Sequence, residues 1–143
     1  MFVETILREK GSRVVTIAAD ASVADLVATL AEHNIGAVVV LDGPGSVAGI
    51  VSERDIVRQL ARAPEGLLQR PVASLMTRSP TTCALADSLD DVMSRMSRGR
   101  FRHLPVVENG CLIGIVSIGD VVKRKIELVE QEAGALRDYI AAT

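Results

Sequence analysis

The chain of 143 residues carries 16 Lys plus Arg against 18 Asp plus Glu, a formal net charge of −2, and 48% of it is hydrophobic. A chain of that length holds one compact domain or two very small ones and buries roughly 70% of its unfolded surface, so disorder is not expected. The near-neutral charge, and Phe2, Phe101 and Tyr139 as the aromatic residues, argue against a nucleic-acid surface, which needs positive charge and exposed rings.

In chain order, residues 14–17 are β-branched and short, as a strand requires. Ser22 then caps a helix whose apolar stripe is Val23, Leu26, Val27 and Leu30. Two strands, residues 37–41 and 47–51, follow around the turn at residues 42–45, and a second helix starts at Ser52. The segment 64–77 contains two prolines and no clear period, which places a boundary there. The order then recurs: a strand at residues 81–84, a helix at 89–97 with Val92, Met93 and Met96 inward, strands at 103–107 and 111–116 around a turn, and a helix from Ser117.

Sliding the sequence by 66 superposes Thr16 on Thr82, Ser22 on Ser88 and Asp25 on Asp91. After the loss of one residue in a turn, GIVSERD (residues 49–55) falls on GIVSIGD (residues 114–120) at offset 65, with Val57 on Val122. Patterns that agree over about forty residues make the chain two copies of one unit. The expected fold is α/β (α+β): two βαββα repeats and an extended C-terminal helix. The first repeat, with an N-terminal helix, takes residues 1–66, the linker and second repeat 67–128, and the helical extension 129–143. That extension continues an apolar seam through Val122, Ile126, Val129, Ala133, Leu136 and Ile140 in alternating steps of four and three. Such a seam either packs back on the chain's own core or meets a partner helix, and a homodimer is expected.

The repeated element places Ser52 and Ser117 at strand-to-helix junctions, with Asp55 and Asp120 three residues on. Taken alone, this spacing is a capping box that binds nothing. The preceding glycine, which lets another group approach the strand, and Gly119 in a first turn, at about 1 kcal/mol against alanine, tilt the reading toward a ligand. A free helix N-terminus with a hydroxyl suits phosphate, and a neighbouring carboxylate suits two ribose hydroxyls.

These residues resemble the CBS domain family, named after cystathionine β-synthase, in the paired form called a Bateman module. The resemblance is carried by NIGAVVVLD (residues 34–42) before GIVSERD, and by RHLPVVENG (residues 102–110) before GIVSIGD. It implies two units related by a pseudo-two-fold axis, with AMP, ATP, NAD(H) or S-adenosylmethionine bound in clefts between them. By position it assigns the ribose to Asp55 and Asp120 and the phosphate neighbourhood to Ser52 and Ser117. It sets Thr16, Ala37 and Val38 in one cleft, and Thr82, His103 and Leu104 in the other, against the adenine. The family's modules regulate larger proteins, so an unidentified regulated protein is implied.

The copies differ in their cations. Arg54 stands beside the first aspartate where the second copy has Gly119, and Arg102 and His103 precede the second hairpin where the first has Gly36 and Ala37. Each arginine offers a forked donor to phosphate or stands in solvent. Lys10, which matches Met76 at offset 66, reaches a phosphate in the first cleft or stands in solvent. No catalytic residue is expected, because the serines lack a nucleophile elbow and His33 and His103 lie in separate units without a matched acid. No metal is expected either, since Cys83, Cys111 and the histidines lack ligand spacing. Two cysteines outside any C-x-x-C arrangement, no apolar run near the roughly 20 residues of a membrane span, and no basic-then-apolar leader point to a reducing, cytoplasmic setting without membrane contact. Cys111, just after a turn, is a packed thiol or a redox-active one. A nucleotide-binding regulatory module is the leading expectation, ahead of an assembly protein that associates through its C-terminal helix around a vestigial site.

Overall fold

The computed structural model describes residues 1–142. Its elements are α1 (Val3–Lys10), β1 (Thr16–Ala18), α2 (Val23–His33), β2 (Ala37–Gly43), β3 (Ser46–Ser52) and α3 (Glu53–Arg62). Two 3-10 turns follow, Leu67–Gln69 and Val72–Ser74, then β4 (Thr77–Arg78), α4 (Leu89–Gly99), β5 (His103–Glu108), β6 (Cys111–Ser117) and α5 (Ile118–Ala142). The repeat is visible in local chemistry. Ser22 and Ser88 each accept from the amide three residues on, Asp25 and Asp91, at 3.1 Å. Both capped helices end on a left-handed residue, Asn34 at φ 51 and Arg100 at φ 55.

In the first unit β1 runs parallel to β2, Thr16 opposite Val39, and β2 pairs antiparallel with β3, Ala37 opposite Ser52. In the second, β5 and β6 pair antiparallel with His103 opposite Ser117. The strand expected at 81–84 shrinks to one parallel bridge, Cys83 to Val106. Side chains take the backbone groups a longer ladder would use: Arg95 donates to the Thr82 carbonyl at 3.1 Å, and Asp87 accepts from the Ala84 amide at 2.8 Å. The strand expected at 14–17 is shifted, because pairing to β2 begins only at Thr16.

Two cores form, and the segments that precede each unit exchange places. Val23, Leu26, Val38, Val40 and Val51 pack with Leu67, Val72 and Leu75 from the segment between the units. Leu89, Val92, Leu104, Val106, Val116 and Val121 pack with Val3, Ile6 and Leu7 of α1. The N-terminal helix, counted with the first unit by chain order, therefore packs on the second. Backbone hydrogen bonds fix both crossings: Val3 to the Asp87 carbonyl at 3.0 Å, and Val72 to the Ala21 carbonyl at 2.8 Å. The segment 64–77, aperiodic in sequence, ends by adding β4 antiparallel to β3, Gly49 opposite Arg78.

The glycine of each GIVS element marks where these segments press on the strand. A Cβ on Gly49 would stand 2.6 Å from the Thr77 carbonyl oxygen and 2.8 Å from Met76 Sδ, whereas one on Gly114 would meet the Leu7 methyls at 2.8 and 2.9 Å. The group that approaches the strand is thus the chain itself. Gly49→Ala should lower stability by about 1–3 kcal/mol, since a backbone oxygen has nowhere to go, and Gly114→Ala by less, since a leucine can change rotamer. Gly134 has nothing within 4 Å of a Cβ, so Gly134→Ala should stabilise by up to about 1 kcal/mol. Urea midpoints of the three variants check this order.

Helix α5 continues unbroken past Gly134 to Ala142. Its first third is held down by Val121 in the second core and by ion pairs from Arg124 to Glu9 at 2.7 Å and from Lys125 to Asp90 at 2.7 Å. The seam does not return to the chain's own core: Val122 is 42% exposed, Ile126 53%, Val129 62% and Ile140 62%. No helix among the described residues is long and apolar enough to cross a membrane.

Candidate functional site

Each hairpin delivers its serine and aspartate by the same local logic. The last strand residue is the helix cap, and its exposed first-turn amides need an acceptor. At the first junction the Ser52 amide donates to Asp55 Oδ2 at 2.8 Å and its hydroxyl donates to the same oxygen at 3.2 Å. At the second, the Ser117 amide donates to Asp120 Oδ2 at 2.9 Å while the hydroxyl accepts from the Asp120 amide at 3.1 Å. The capping boxes are therefore real. They occupy Oδ2 of each carboxylate, and among the described residues no hydrogen bond reaches either Oδ1.

The junctions differ in what lies beside them. Lys10, at the end of α1, donates to Asp120 Oδ2 at 2.7 Å and to the Ile115 carbonyl at 3.0 Å. It lies neither in the first cleft nor free in solvent, the two placements expected from sequence, because α1 crosses to the second unit. Its counterpart Met76 packs at Gly49 in the first unit and brings no charge. Burial alone would raise the Asp120 carboxyl, but the Lys10 ammonium and the Ser117 amide outweigh it and hold the group below the usual carboxylate range. His103, opposite Ser117, is pushed below its ordinary value, first by burial and then by the Lys10 ammonium, against the opposing pull of Asp120 and Glu53.

The two units meet here. A Cβ on Gly36 would stand 3.4 Å from Glu53 Oε1 and 4.0 Å from His103 Cε1, so the start of β2, the first turn of α3 and the start of β5 converge. A second junction joins the hairpin tips, where the Leu112 amide donates to the Gly45 carbonyl at 3.0 Å.

Of the residues singled out by sequence, the structure brings Ala37, Ser52 and Asp55 together on one side, and His103, Ser117 and Asp120 on the other. Val38 and Leu104 are fully buried and belong to the two cores. Thr16 lies on β1 opposite Val39, across β2 from β3, while Ser52 lies opposite Ala37. Thr82 is half-buried, its carbonyl engaged by Arg95. Arg54 and Arg102 are exposed and make no side-chain hydrogen bond or ion pair among the described residues. Sequence reasoning missed Lys10 at Asp120 and Glu53 at His103. The register of Lys10 on Met76 carried the only signal, and it does not say which unit a linker segment packs on.

The thiols separate cleanly. Cys83 is buried, and burial followed by the Asp87 carboxylate pushes it up to about 12, whereas Cys111 is exposed beside the first hairpin tip. A maleimide near neutral pH should therefore label Cys111 and spare Cys83 in the folded protein, and mass spectrometry after digestion reads the site. No group of acidic, histidine or cysteine side chains among the described residues is arranged to hold a metal ion.

Two helix–hairpin–helix units, each with a serine- and aspartate-capped helix start after its hairpin, define a paired-repeat fold. The CBS domain profile matches residues 5–62 and 72–127, and the chain belongs to the CBS domain family. It superposes on a CBS-domain protein of Agrobacterium tumefaciens with a TM-score of 0.84 at 46% identity, covering 87% of this chain and 99% of that one. A CBS protein of Pyrobaculum aerophilum, solved with AMP, gives 0.74 at 30% identity over 84% of this chain and 89% of that one. The CBS pair of protein MJ0100, solved with 5′-methylthioadenosine and S-adenosylmethionine, gives 0.76 at 26% identity over 86% and 94%. Several curated relatives are far longer, this chain spanning about a quarter of their length.

Proposed function

We propose that this chain is a non-catalytic regulatory module that binds an adenine nucleotide (AMP, ATP or NAD(H)) between its two units and so modulates a partner protein in the cytoplasm. The observation that carries this reading is the doubled capping box: two aspartates at matched helix starts, each with one carboxylate oxygen unengaged. Relatives of the same fold with AMP and with S-adenosylmethionine support the adenosine part.

In this reading Asp55 and Asp120 take the ribose hydroxyls, and Ser52 and Ser117 lie near phosphate. The backbone at Ala37, Val38, His103 and Leu104, with Thr16 and Thr82, faces the base. Arg54 serves one cleft and Arg102 the other. The exposed arginines and Lys10 favour a phosphate-bearing ligand over the sulfonium of S-adenosylmethionine, which would meet cations where it needs carboxylates. Calorimetric titration of AMP, ATP, NAD(H) and S-adenosylmethionine tests this. A phosphorylated ligand should bind most tightly and the two clefts should differ in affinity; tighter S-adenosylmethionine binding, or two equal sites, would count against the assignment.

The second reading, an assembly protein with a vestigial site, draws on the exposed α5 seam. Both readings include a homodimer with α5 at its interface, and they part on whether any adenosine compound binds.

A further inference from the structure

The two clefts are not chemically equivalent even before their arginines are considered. In the first, Asp55 bonds only to its own cap residue, and among the described residues no charged side chain pairs with it. In the second, Lys10 at the end of α1 reaches the aspartate, its ammonium 2.7 Å from Asp120 Oδ2 and 3.0 Å from the Ile115 carbonyl. The pair is partly shielded, with Lys10 33% and Asp120 24% exposed, so it is screened less than a surface pair. It borders a cavity of about 100 Å3 shared with Glu9, Arg124 and Glu127, well below the roughly 300 Å3 of ordinary ligand pockets. A ligand that uses Asp120 through its unengaged Oδ1 comes to lie beside the ammonium on Oδ2.

We infer that Lys10 is a specificity-determining residue of the second cleft: its ammonium, held at Asp120 Oδ2, is placed to meet the phosphate of a ligand whose ribose takes that carboxylate. This rests on the ribose role proposed above for Asp120. A neutral nucleoside that engages Oδ1 brings no new contact to the ammonium on Oδ2. A nucleotide engages the same carboxylate and supplies phosphate, a compact anion that a flexible lysine stem can follow. The second cleft therefore discriminates between nucleotide and nucleoside through the ammonium beside Asp120, and among the described residues no side chain brings such a charge to Asp55.

The test uses calorimetric titration of AMP and of adenosine on the full chain carrying Asp55→Ala, which silences the first cleft. A difference of one charged contact predicts AMP tighter than adenosine by about tenfold. Adding Lys10→Met, which removes the charge and keeps a flexible stem, should bring the ratio to within about twofold by weakening AMP, while Lys10→Arg should keep it near tenfold. An AMP-to-adenosine ratio that Lys10→Met leaves unchanged overturns the inference while the ribose role stands. Binding of neither compound to any of the variants overturns the ribose role of Asp120, and the inference with it.

Discussion

Asp120→Ala and Asp55→Ala should each weaken adenine-nucleotide binding in one cleft by about 10- to 150-fold, the loss of a charged hydrogen bond worth roughly 1.5–3 kcal/mol. Both substitutions also remove half of a capping box, so the free proteins should lose about 1 kcal/mol of stability. Asp120→Ala should cost the free protein more, because it strands the Lys10 ammonium that now lies 2.7 Å from the carboxylate. Binding and the melting temperature of the ligand-free protein must therefore be measured together. Variants that lose stability yet keep full affinity would show that these aspartates cap helices and do not touch ribose.

Ending the chain at Lys125 should convert a homodimer into a monomer in light scattering at micromolar concentration. The argument is one of uncovered surface. Val122, Ile126, Val129, Leu136, Tyr139 and Ile140 are all more than a third exposed along one helix, and α3 adds Val57 at 63% and Leu60 at 53%. Apolar side chains exposed over this much of one helix are unusual on a soluble monomer, and a second copy would cover them symmetrically. The cut leaves Val121 and Arg124 in place, so the second core and the α1 contact survive. A full-length monomer would refute the homodimer, and an unchanged dimer after truncation would place the interface on α3 or elsewhere.

Much of the architecture was legible because the repeat writes its own register. GIVSERD and GIVSIGD fix two identical strand-to-helix junctions, and the β-branched runs before them fix the hairpins to within a residue or two. The serine–aspartate geometry followed, since a capping box is a local structure set by residues three apart. What was not legible depends on long-range packing. Nothing in the pattern of residues 3–10 or 64–77 says that each segment crosses to the other core, so Lys10 could not be assigned to Asp120, nor Met76 to Gly49. The strand at 81–84 was curtailed by Arg95 and Asp87, whose reach across the fold no periodicity reports.

Thermal unfolding with and without AMP, ATP, NAD and S-adenosylmethionine tests the central claim most directly. A ligand present at 100 times its dissociation constant adds about 2.7 kcal/mol, a rise of roughly 5–11 °C for a chain of this size. The adenine-nucleotide reading predicts such a rise with at least one phosphate-bearing compound and its loss when Asp55 and Asp120 are both replaced by alanine. An unmoved melting temperature with every adenosine compound would contradict it and leave the assembly reading in its place.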